Sequence, residues 1–195
     1  MSKRRIGVLA LQGAFYEHER ILVSLGEDTS EVRRKEDLKG ISALIIPGGE
    51  STTIGKLLRE LDILDPLKVM IDNGLPVMGT CAGEILLADS VDGRKSDYIA
   101  TIPMNVRRNA YGRQLGSFIA NEDFYGIDGK VPMCFIRAPY IESAGQGVRV
   151  VARCNGRVVG VRYGSQLAIS FHPEISGDTR IHSYFLNSVM QGQSL

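Results

Sequence analysis

The sequence predicts an α/β fold with a mostly parallel central sheet flanked by helices, and additional antiparallel strands in the second half. Two observations predict the parallel part: short apolar runs recur along the first half, and segments with helical apolar spacing separate them. A third predicts the antiparallel part, where short strands follow one another and Asn155-Gly156 marks a tight hairpin turn. With 195 residues, we expect one domain over residues 1–195.

Strands and helices alternate in the first half. The predicted strands are residues 5–11, 28–34, 41–46 and the apolar run that begins at Leu75. The predicted helices are residues 14–25, which end before Gly26; a helix capped by Ser51 or Thr52; a second helix that ends at Asn73-Gly74; and a helix that runs to about Ala88. Their apolar residues recur at i, i+3, i+4 and i+7, which gives each helix a buried face.

The second half changes in character after Asp89. Residues 90–100 are polar and are predicted to form a loop. Short strands are then predicted over residues 103–107, 133–138, 148–154, 157–163 and 167–171, followed by a closing helix over residues 178–190. These short strands in close succession favour antiparallel pairing.

Composition excludes several classes of function. The formal net charge of +1 and the absence of a long basic run argue against a nucleic-acid-binding surface. No apolar run reaches the length of a membrane-spanning helix, and the first residues lead into a strand instead of an export signal. Three widely spaced cysteines do not suggest a disulfide framework. We therefore expect a protein of the reducing cytoplasm with no membrane partner.

The stretch most suited to catalysis is Gly79-Thr80-Cys81-Ala82-Gly83. An apolar run precedes it and good helix formers follow it, which is the order of a nucleophile elbow. Small residues allow the helix to fold back on the strand, and the helix N-terminus favours a thiolate at Cys81. On this motif alone, a buried structural cysteine is an equally good interpretation.

A cysteine nucleophile needs a base, and the chain has three histidines. His172 ends an apolar strand, and Glu174 lies two residues on, where an extended segment places both side chains on one side. Glu174 can therefore orient the imidazole, although His172-Pro173-Glu174 could also be a plain turn. His18 is predicted to lie on a solvated helix face. His182 is predicted to be at the surface or hydrogen-bonded, without a catalytic role.

Loops at the ends of the predicted strands could complete the site. The backbone N–H of Ala82 is the expected first donor of an oxyanion hole, and the loop 47–51, with two glycines, could supply a second from Gly49. On its own, that loop is more simply a strand-to-helix turn. Arg137 interrupts an apolar strand, where it is either an exposed salt-bridge partner or is paired with a carboxylate of a ligand or of the site. Cys134 and Cys154 are expected to be filling residues of the strands.

The same motifs resemble those of class I glutamine amidotransferases and, more specifically, of the glutaminase subunits of pyridoxal 5′-phosphate synthase. Gly-x-Cys-x-Gly and His-Pro-Glu are typical of the broad class. Three further stretches are typical of the narrower family: Leu11-Gln12-Gly13, Arg108-Asn109-Ala110-Tyr111-Gly112-Arg113-Gln114 and Ile136-Arg137-Ala138-Pro139. They occur in family order from the first strand almost to the C-terminus.

The resemblance implies a three-layer, flavodoxin-like fold and a triad of Cys81, His172 and Glu174 that hydrolyses L-glutamine through a γ-glutamyl thioester. It implies an oxyanion hole at Gly49 and Ala82, and it places Gln12 near the site and the partner surface. The implied glutamine-binding residues are Gly49, Glu50, Ser51, Arg108, Ile136 and Arg137. The implied partner is the synthase subunit, which is a (β/α)8 barrel that receives ammonia within a large hetero-oligomer. No metal or cofactor is implied for this chain.

One position departs from the family pattern. Position 84 is usually Leu or Met in this family, and here it is Glu84. A carboxylate three residues after Cys81 would disfavour a nearby thiolate. Two other functions therefore stay open from the sequence: a glutaminase subunit of another amidotransferase, and a regulatory subunit that has lost its catalytic activity.

Overall fold

A computed structural model describes residues 4–108 and 116–191. Among these residues, thirteen strands form one sheet: β1 (Arg5–Leu9), β2 (Asp28–Val32), β3 (Ala43–Ile46), β4 (Val77–Thr80), β5 (Ala88–Val91), β6 (Arg94–Lys95), β7 (Ile102–Arg107), β8 (Ser117–Phe124), β9 (Ile127–Ile136), β10 (Tyr140–Ala144), β11 (Arg149–Cys154), β12 (Arg157–Tyr163) and β13 (Gln166–Ile169). The helices are α1 (Phe15–Ser24), α2 (Ser51–Glu60), α3 (Leu64–Asp72), α4 (Ala82–Leu87) and α5 (Arg180–Tyr184), with a short 3-10 helix at Lys35–Leu38.

Five parallel strands form one half of the sheet, in the order β2-β1-β3-β4-β13. Ile46 of β3 lies opposite Gly79 of β4, and Thr80 of β4 lies opposite Ile169 of β13. The loops that follow these three strands therefore begin next to one another at the carboxyl edge of the sheet, where α/β folds bind their ligands. The predicted α/β class is confirmed.

Mainly antiparallel strands continue the sheet in the order β12-β10-β7-β5-β6, and β11, β8 and β9 extend it from β12. The predicted hairpin between β11 and β12 is present, with Cys154 opposite Arg157. Its two turn residues, Asn155 and Gly156, have φ values of 50° and 76°. Positive φ at both central residues is the type I′ turn that this sequence favours.

Three predictions for the second half are wrong or incomplete. Residues 90–100 are not simply a loop, because β5 and β6 form a hairpin that turns at Asp92-Gly93, where φ is 52° and 75°. Asp-Gly is itself a type I′ signal, and it could have been used. Strands β8 and β10 were not predicted. Most residues of β8 are exposed or half-buried, so its apolar pattern is weak.

Two hydrophobic layers cover the two faces of the sheet. Alternate residues of β3 enter different layers: Leu44 and Ile46 pack with α2, α3 and α4, whereas Ala43 and Ile45 pack with α1 and α5. This period of two is what a strand buried on both faces requires. Among the described residues, no helix is both long and apolar enough to cross a membrane.

The helix ends differ in detail from the prediction. Glu50, and not Ser51 or Thr52, is the N-cap of α2, and its side chain accepts a hydrogen bond from the backbone N–H of Thr53 at 2.9 Å. The predicted closing helix is present in two parts, because α5 continues as a π-helical turn over Phe185–Val189.

The helix α4 buries a carboxyl group. Glu84 is completely buried, and neither of its carboxyl oxygens has a hydrogen-bond partner of normal geometry among the described residues. Burial raises the pKa of Glu84 to about 8, and the nearby Ser170 hydroxyl opposes this only in part. An uncharged carboxyl is the form that an apolar interior accepts at lower free-energy cost.

We predict that Glu84→Leu stabilises the fold, and increasingly so as the pH rises. Between pH 4.5, the ordinary pKa of a Glu side chain, and about 8, the native state keeps a proton that the unfolded chain has lost. The free energy of unfolding should therefore fall by on the order of 5 kcal/mol over that range through Glu84 alone. In the Leu variant this decrease should disappear, as measured by urea unfolding from about pH 5 to about pH 8.

A control for this prediction is Glu36→Gln, which removes an exposed carboxylate. This variant should keep the wild-type pH dependence. An unchanged slope in Glu84→Leu would show that the Glu84 carboxyl is not held uncharged.

Candidate active site

Cys81 lies on a strained turn between β4 and α4. Its φ and ψ are 49° and −98°, in a region that residues with a Cβ rarely adopt. The backbone N–H of Cys81 donates to the carbonyl of Ile169 at 2.8 Å, which fixes the turn to β13. A Cβ on Gly83 would lie 2.2 Å from the carbonyl oxygen of Ile46, so the close approach of α4 to the sheet requires glycine. The local structure is that of a nucleophile elbow.

His172 lies beside this turn because β13 is the neighbour of β4. Its backbone N–H donates to the carbonyl of Cys134 at 2.8 Å. Its Nδ1 lies 2.7 Å from Oε1 of Glu174, whose side chain is fully buried. The Cys81 sulfur helps to raise the pKa of this imidazole, and Nε2 is the ring nitrogen left to face it. The structure thus brings Cys81, His172 and Glu174 into one line.

The electrostatics of this line favour a charged pair. Burial lowers the pKa of His172, but the hydrogen bonds to Cys81 and Glu174 outweigh burial and raise that pKa to about 10. At neutral pH the imidazole therefore holds a proton between the cysteine and the carboxylate. A protonated imidazole beside the sulfur stabilises the thiolate, which is the nucleophilic form of cysteine.

A cavity of about 530 Å³ opens in front of Cys81 and His172. Most of the residues predicted for the site line it: Gln12, Gly49, Glu50, Ser51, Cys81, Ala82, Arg108, Ile136, Arg137 and His172. Glu174 lies behind the imidazole and does not line the cavity. Gly48 of the predicted oxyanion-hole loop also lines the cavity, and the wall is completed by Ala14, Ile85, Pro139 and Ile175, which were not predicted as site residues.

The loop between β3 and α2 is held in place from both ends. The carbonyl of Gly48 accepts from the N–H of Ala14 at 3.1 Å, and the N–H of Glu50 donates to Oε1 of Gln12 at 2.7 Å. A Cβ on Gly48 would lie 2.3 Å from Cε1 of His172, so glycine is needed where the loop meets the imidazole. The loop is thus fitted closely against the site.

Glu50 uses its carboxylate within the protein. In addition to the bond from Thr53, the carboxylate accepts hydrogen bonds from the hydroxyls of Thr52 and Thr53. The hydrogen bond from Thr52 is the main cause that lowers the pKa of Glu50. The carboxylate is therefore committed to the cap of α2.

Two arginines face the cavity in different settings. Nε of Arg108 binds Oδ2 of Asp92 at 2.8 Å, which holds this side chain at the end of β7. Arg137 follows β9 at a φ of 45° and is exposed, so its predicted place inside a strand is wrong and no buried partner is needed. The rest of the Arg108–Gln114 motif lies outside the described residues.

Two histidines near the triad do not lie where the sequence predicts them. His18 on α1 and His182 on α5 are completely buried, so the predicted solvated face of His18 and the surface position considered for His182 are wrong. The spacing of His18 with Leu22 and Leu25, at i, i+4 and i+7, is the signal that could have placed His18 on the apolar face. Both histidines lie behind Glu174.

Comparison with known proteins identifies relatives over nearly the whole chain. The SNO glutamine amidotransferase family matches residues 8–191. The pyridoxal 5′-phosphate synthase subunit PdxT of Desulfitobacterium hafniense (strain Y51) is 58% identical over 191 residues, which cover 97% of this chain and 96% of that protein. PdxT of Streptococcus pneumoniae (strain ATCC 700669 / Spain 23F-1) is 49% identical over 187 residues, which cover 94% and 96%.

Solved structures agree with these relatives. The crystal structure of a glutamine amidotransferase superposes with a TM-score of 0.90 at 47% identity, and it covers 95% of this chain and 98% of that chain. The structure of PurLQS from Thermotoga maritima has a TM-score of 0.68 at 18% identity over 99% and 98% of the two chains, which supports the fold alone. Because the family match extends over residues 8–191, the chain belongs to the SNO glutamine amidotransferase family.

Proposed function

We propose that this chain is the glutaminase subunit of a pyridoxal 5′-phosphate synthase. It hydrolyses L-glutamine to L-glutamate and ammonia in the cytoplasm and passes the ammonia to a synthase subunit. The observation that carries the proposal is the line of Cys81, His172 and Glu174, in which His172 is hydrogen-bonded to Glu174 and the first two residues face a cavity of about 530 Å³. Relatives with 58% and 49% identity carry the name of that synthase's subunit PdxT.

The reaction begins at the sulfur. The Cys81 thiolate attacks the side-chain amide carbon of glutamine and forms a C–S bond, and the carbonyl electrons move to oxygen. The N–H groups of Ala82 and Gly49 stabilise this oxyanion. Ala82 follows the nucleophile at the start of α4, and the Gly48 carbonyl is already bound to Ala14. Because a trans peptide directs C=O and N–H to opposite sides, the Gly49 N–H points away from Ala14.

His172 then moves the protons. It gives its proton to the departing nitrogen, the C–N bond breaks, and ammonia leaves a γ-glutamyl thioester on Cys81. The neutral imidazole next takes a proton from water, which attacks the thioester and releases glutamate and the thiolate. Glu174 holds Nδ1 at 2.7 Å throughout and so keeps the ring in the orientation that both steps need.

The glutamine backbone groups need partners of their own. Arg108, held by Asp92, and Arg137 supply positive charge for the α-carboxylate of glutamine. Glu50, Ser51 and Ile136 line the same cavity and would contact the rest of the substrate.

The proposed partner is the synthase subunit, which is a (β/α)8 barrel within a large hetero-oligomer. Free ammonia in water is largely protonated and is then no longer a nucleophile, so direct transfer to a docked acceptor is favoured. Gln12 connects partner and site in this proposal, because it lines the cavity and holds the N–H of Glu50. A partner that contacts Gln12 would act directly on the loop that carries Gly49.

The two other functions left open by the sequence are less well supported. Solved structures named for a GMP synthase and for PurLQS match at only 20% and 18% identity and so inform on the fold alone. Loss of activity through Glu84 would require a negative charge near the sulfur. Because burial raises the pKa of Glu84 to about 8, this carboxyl is mostly uncharged at neutral pH.

We predict that Cys81→Ala abolishes glutamate formation. The variant loses the atom that forms the thioester, so the rate should fall by at least about 1,000-fold. Glutamate and ammonia release should be measured with the synthase subunit from the same genome present. Cys154→Ala, at another buried free cysteine, should keep the activity. Near wild-type turnover in Cys81→Ala would refute the proposed function.

We also predict that Arg108→Gln raises the KM for glutamine by about 10- to 100-fold, the loss expected when one charge-assisted hydrogen bond is removed. The value of kcat should change much less, because Arg108 does not touch the triad. Steady-state kinetics over a range of glutamine concentrations checks this. The matched control is Arg107→Gln, because Arg107 pairs with Glu142 and does not line the cavity. Equal KM effects in both variants would contradict a substrate-binding role for Arg108.

A further inference from the structure

A line of buried hydrogen-bonding groups continues beyond the triad. Nε2 of His18 lies 3.5 Å from Oε2 of Glu174 and 3.4 Å from Oγ1 of Thr80. Nδ1 of His18 lies 2.9 Å from Nε2 of His182. Both histidines are completely buried, and neither takes part in the chemistry proposed above. The line therefore runs from Cys81 through His172 and Glu174 to two further imidazoles.

The carboxylate determines which nitrogen of His18 carries the proton. Oε1 of Glu174 is bound to His172, whereas buried Oε2 has no hydrogen bond of normal geometry among the described residues. A buried carboxylate oxygen without a donor is costly. A proton on Nε2 of His18 would supply that donor. A bare lone pair on Nε2 would instead face the negative oxygen and repel it.

His182 is placed to support this tautomer. With a proton on Nε2 of His18, its Nδ1 is an acceptor, and an Nε2–H of His182 would donate to it over the observed 2.9 Å. Burial, and then the nearby His182 and His172, hold the pKa of His18 well below its ordinary value. Burial also lowers the pKa of His182 to about 4. Both rings are therefore neutral at neutral pH, and each has one proton to donate.

We propose that His18 is a positioning residue of the triad: as a neutral imidazole held by His182, it donates from Nε2 to Oε2 of Glu174 and orients the carboxylate towards His172. The proposal rests on the glutaminase function proposed above. The separation of 3.5 Å is long for a hydrogen bond, and such contacts in enzymes tighten when the substrate binds. Thr80, the residue before Cys81, accepts from the same N–H and ties His18 to the elbow.

A neutral donor suits this position better than a cation. A positive charge beside Oε2 would attract the carboxylate in competition with the His172 imidazolium and would weaken the pair that holds the thiolate. The groups that face His18 are Thr80 from β4, Glu174 from the segment after β13 and His182 from α5. His172 acts on His18 through its charge.

The kinetic test compares two substitutions at His18 in the complex with the synthase subunit. His18→Leu removes the donor, and we expect kcat to fall by about 10- to 100-fold, as when a buried charged acceptor loses its donor. The KM for glutamine should stay the same, because His18 does not line the cavity. His18→Gln can place an amide N–H near the position of Nε2, and it should restore kcat to within a few fold of the wild type.

The pH profile separates positioning from general damage to the fold. Without its donor, Glu174 is held less firmly against His172, whose pKa it raises, so the basic limb of the kcat profile should move to lower pH by roughly one unit in His18→Leu. The profile of His18→Gln should stay near that of the wild type. The control is Glu17→Gln, an exposed neighbour on α1, which should leave kcat and the profile unchanged.

A spectroscopic measurement tests the tautomer without any enzyme assay. Two-dimensional NMR of the ¹⁵N-histidine-labelled chain should show both His18 and His182 with the proton on Nε2. A proton on Nδ1 of His18 would overturn the proposal, as would wild-type kcat and pH dependence in His18→Leu, or equal losses in the Leu and Gln variants. If the wild type releases no ammonia from glutamine, the proposed function fails and the tautomer still decides the role of His18. If His18→Leu does not fold, the tautomer measured in the wild type still tests the proposal.

Discussion

Parallel pairing of β4 with β13, with Thr80 opposite Ile169, is the constraint on which the site depends. This register brings together the ends of two strands that lie 89 positions apart in the sequence, Thr80 and Ile169 (169 − 80 = 89). One strand leads directly into Cys81 and the other into His172. The hydrogen bond from the N–H of Cys81 to the carbonyl of Ile169 extends the pairing into the strained turn itself. A shift of this register by one residue would turn the side chains to opposite faces and separate the sulfur from its base.

The titratable groups buried around this strand pair change the stability of the fold with pH in opposite directions. His172, with a pKa of about 10 against an ordinary 6.5, stabilises the fold fully below pH 6.5, and this contribution is lost towards pH 10. His182, with a pKa of about 4 against an ordinary 6.5, has the opposite effect. Its contribution to stability is complete above pH 6.5 and is lost as the pH falls towards 4, because the unfolded chain takes up the proton first. Glu84 adds a loss of stability as the pH rises towards 8. Together these shifts place the greatest stability at mildly acidic pH, up to about 6.5, because above that pH both Glu84 and His172 lower it.

The sequence predicted the parts of the fold that depend on local pattern. Apolar runs and helical spacing indicated the parallel half, and Asn155-Gly156 indicated a hairpin, which has φ values of 50° and 76° at its turn. Strands such as β8, whose residues are largely exposed, carry no such pattern, and only their partners determine their structure. Cys81 and His172 could be singled out because they follow the ends of β4 and β13, and Glu174 because it lies two residues after His172, in the turn beyond β13. The burial of His18 could have been inferred from its spacing with Leu22 and Leu25, but that of His182 could not, because it arises where α1 and α5, far apart in the chain, meet beside one another.

Burial also explains how Glu84, three residues after Cys81, and two extra histidines can lie beside the proposed catalytic groups. In a medium of low dielectric constant, every charge near the sulfur acts strongly. Burial keeps Glu84 mostly uncharged at neutral pH, and it keeps both extra imidazoles neutral. Under the proposed mechanism, the strong local field is then set by a Cys81 thiolate, the His172 imidazolium and the Glu174 carboxylate, whose charges alternate. The neighbouring groups add no charge of their own, so burying them does not oppose this arrangement.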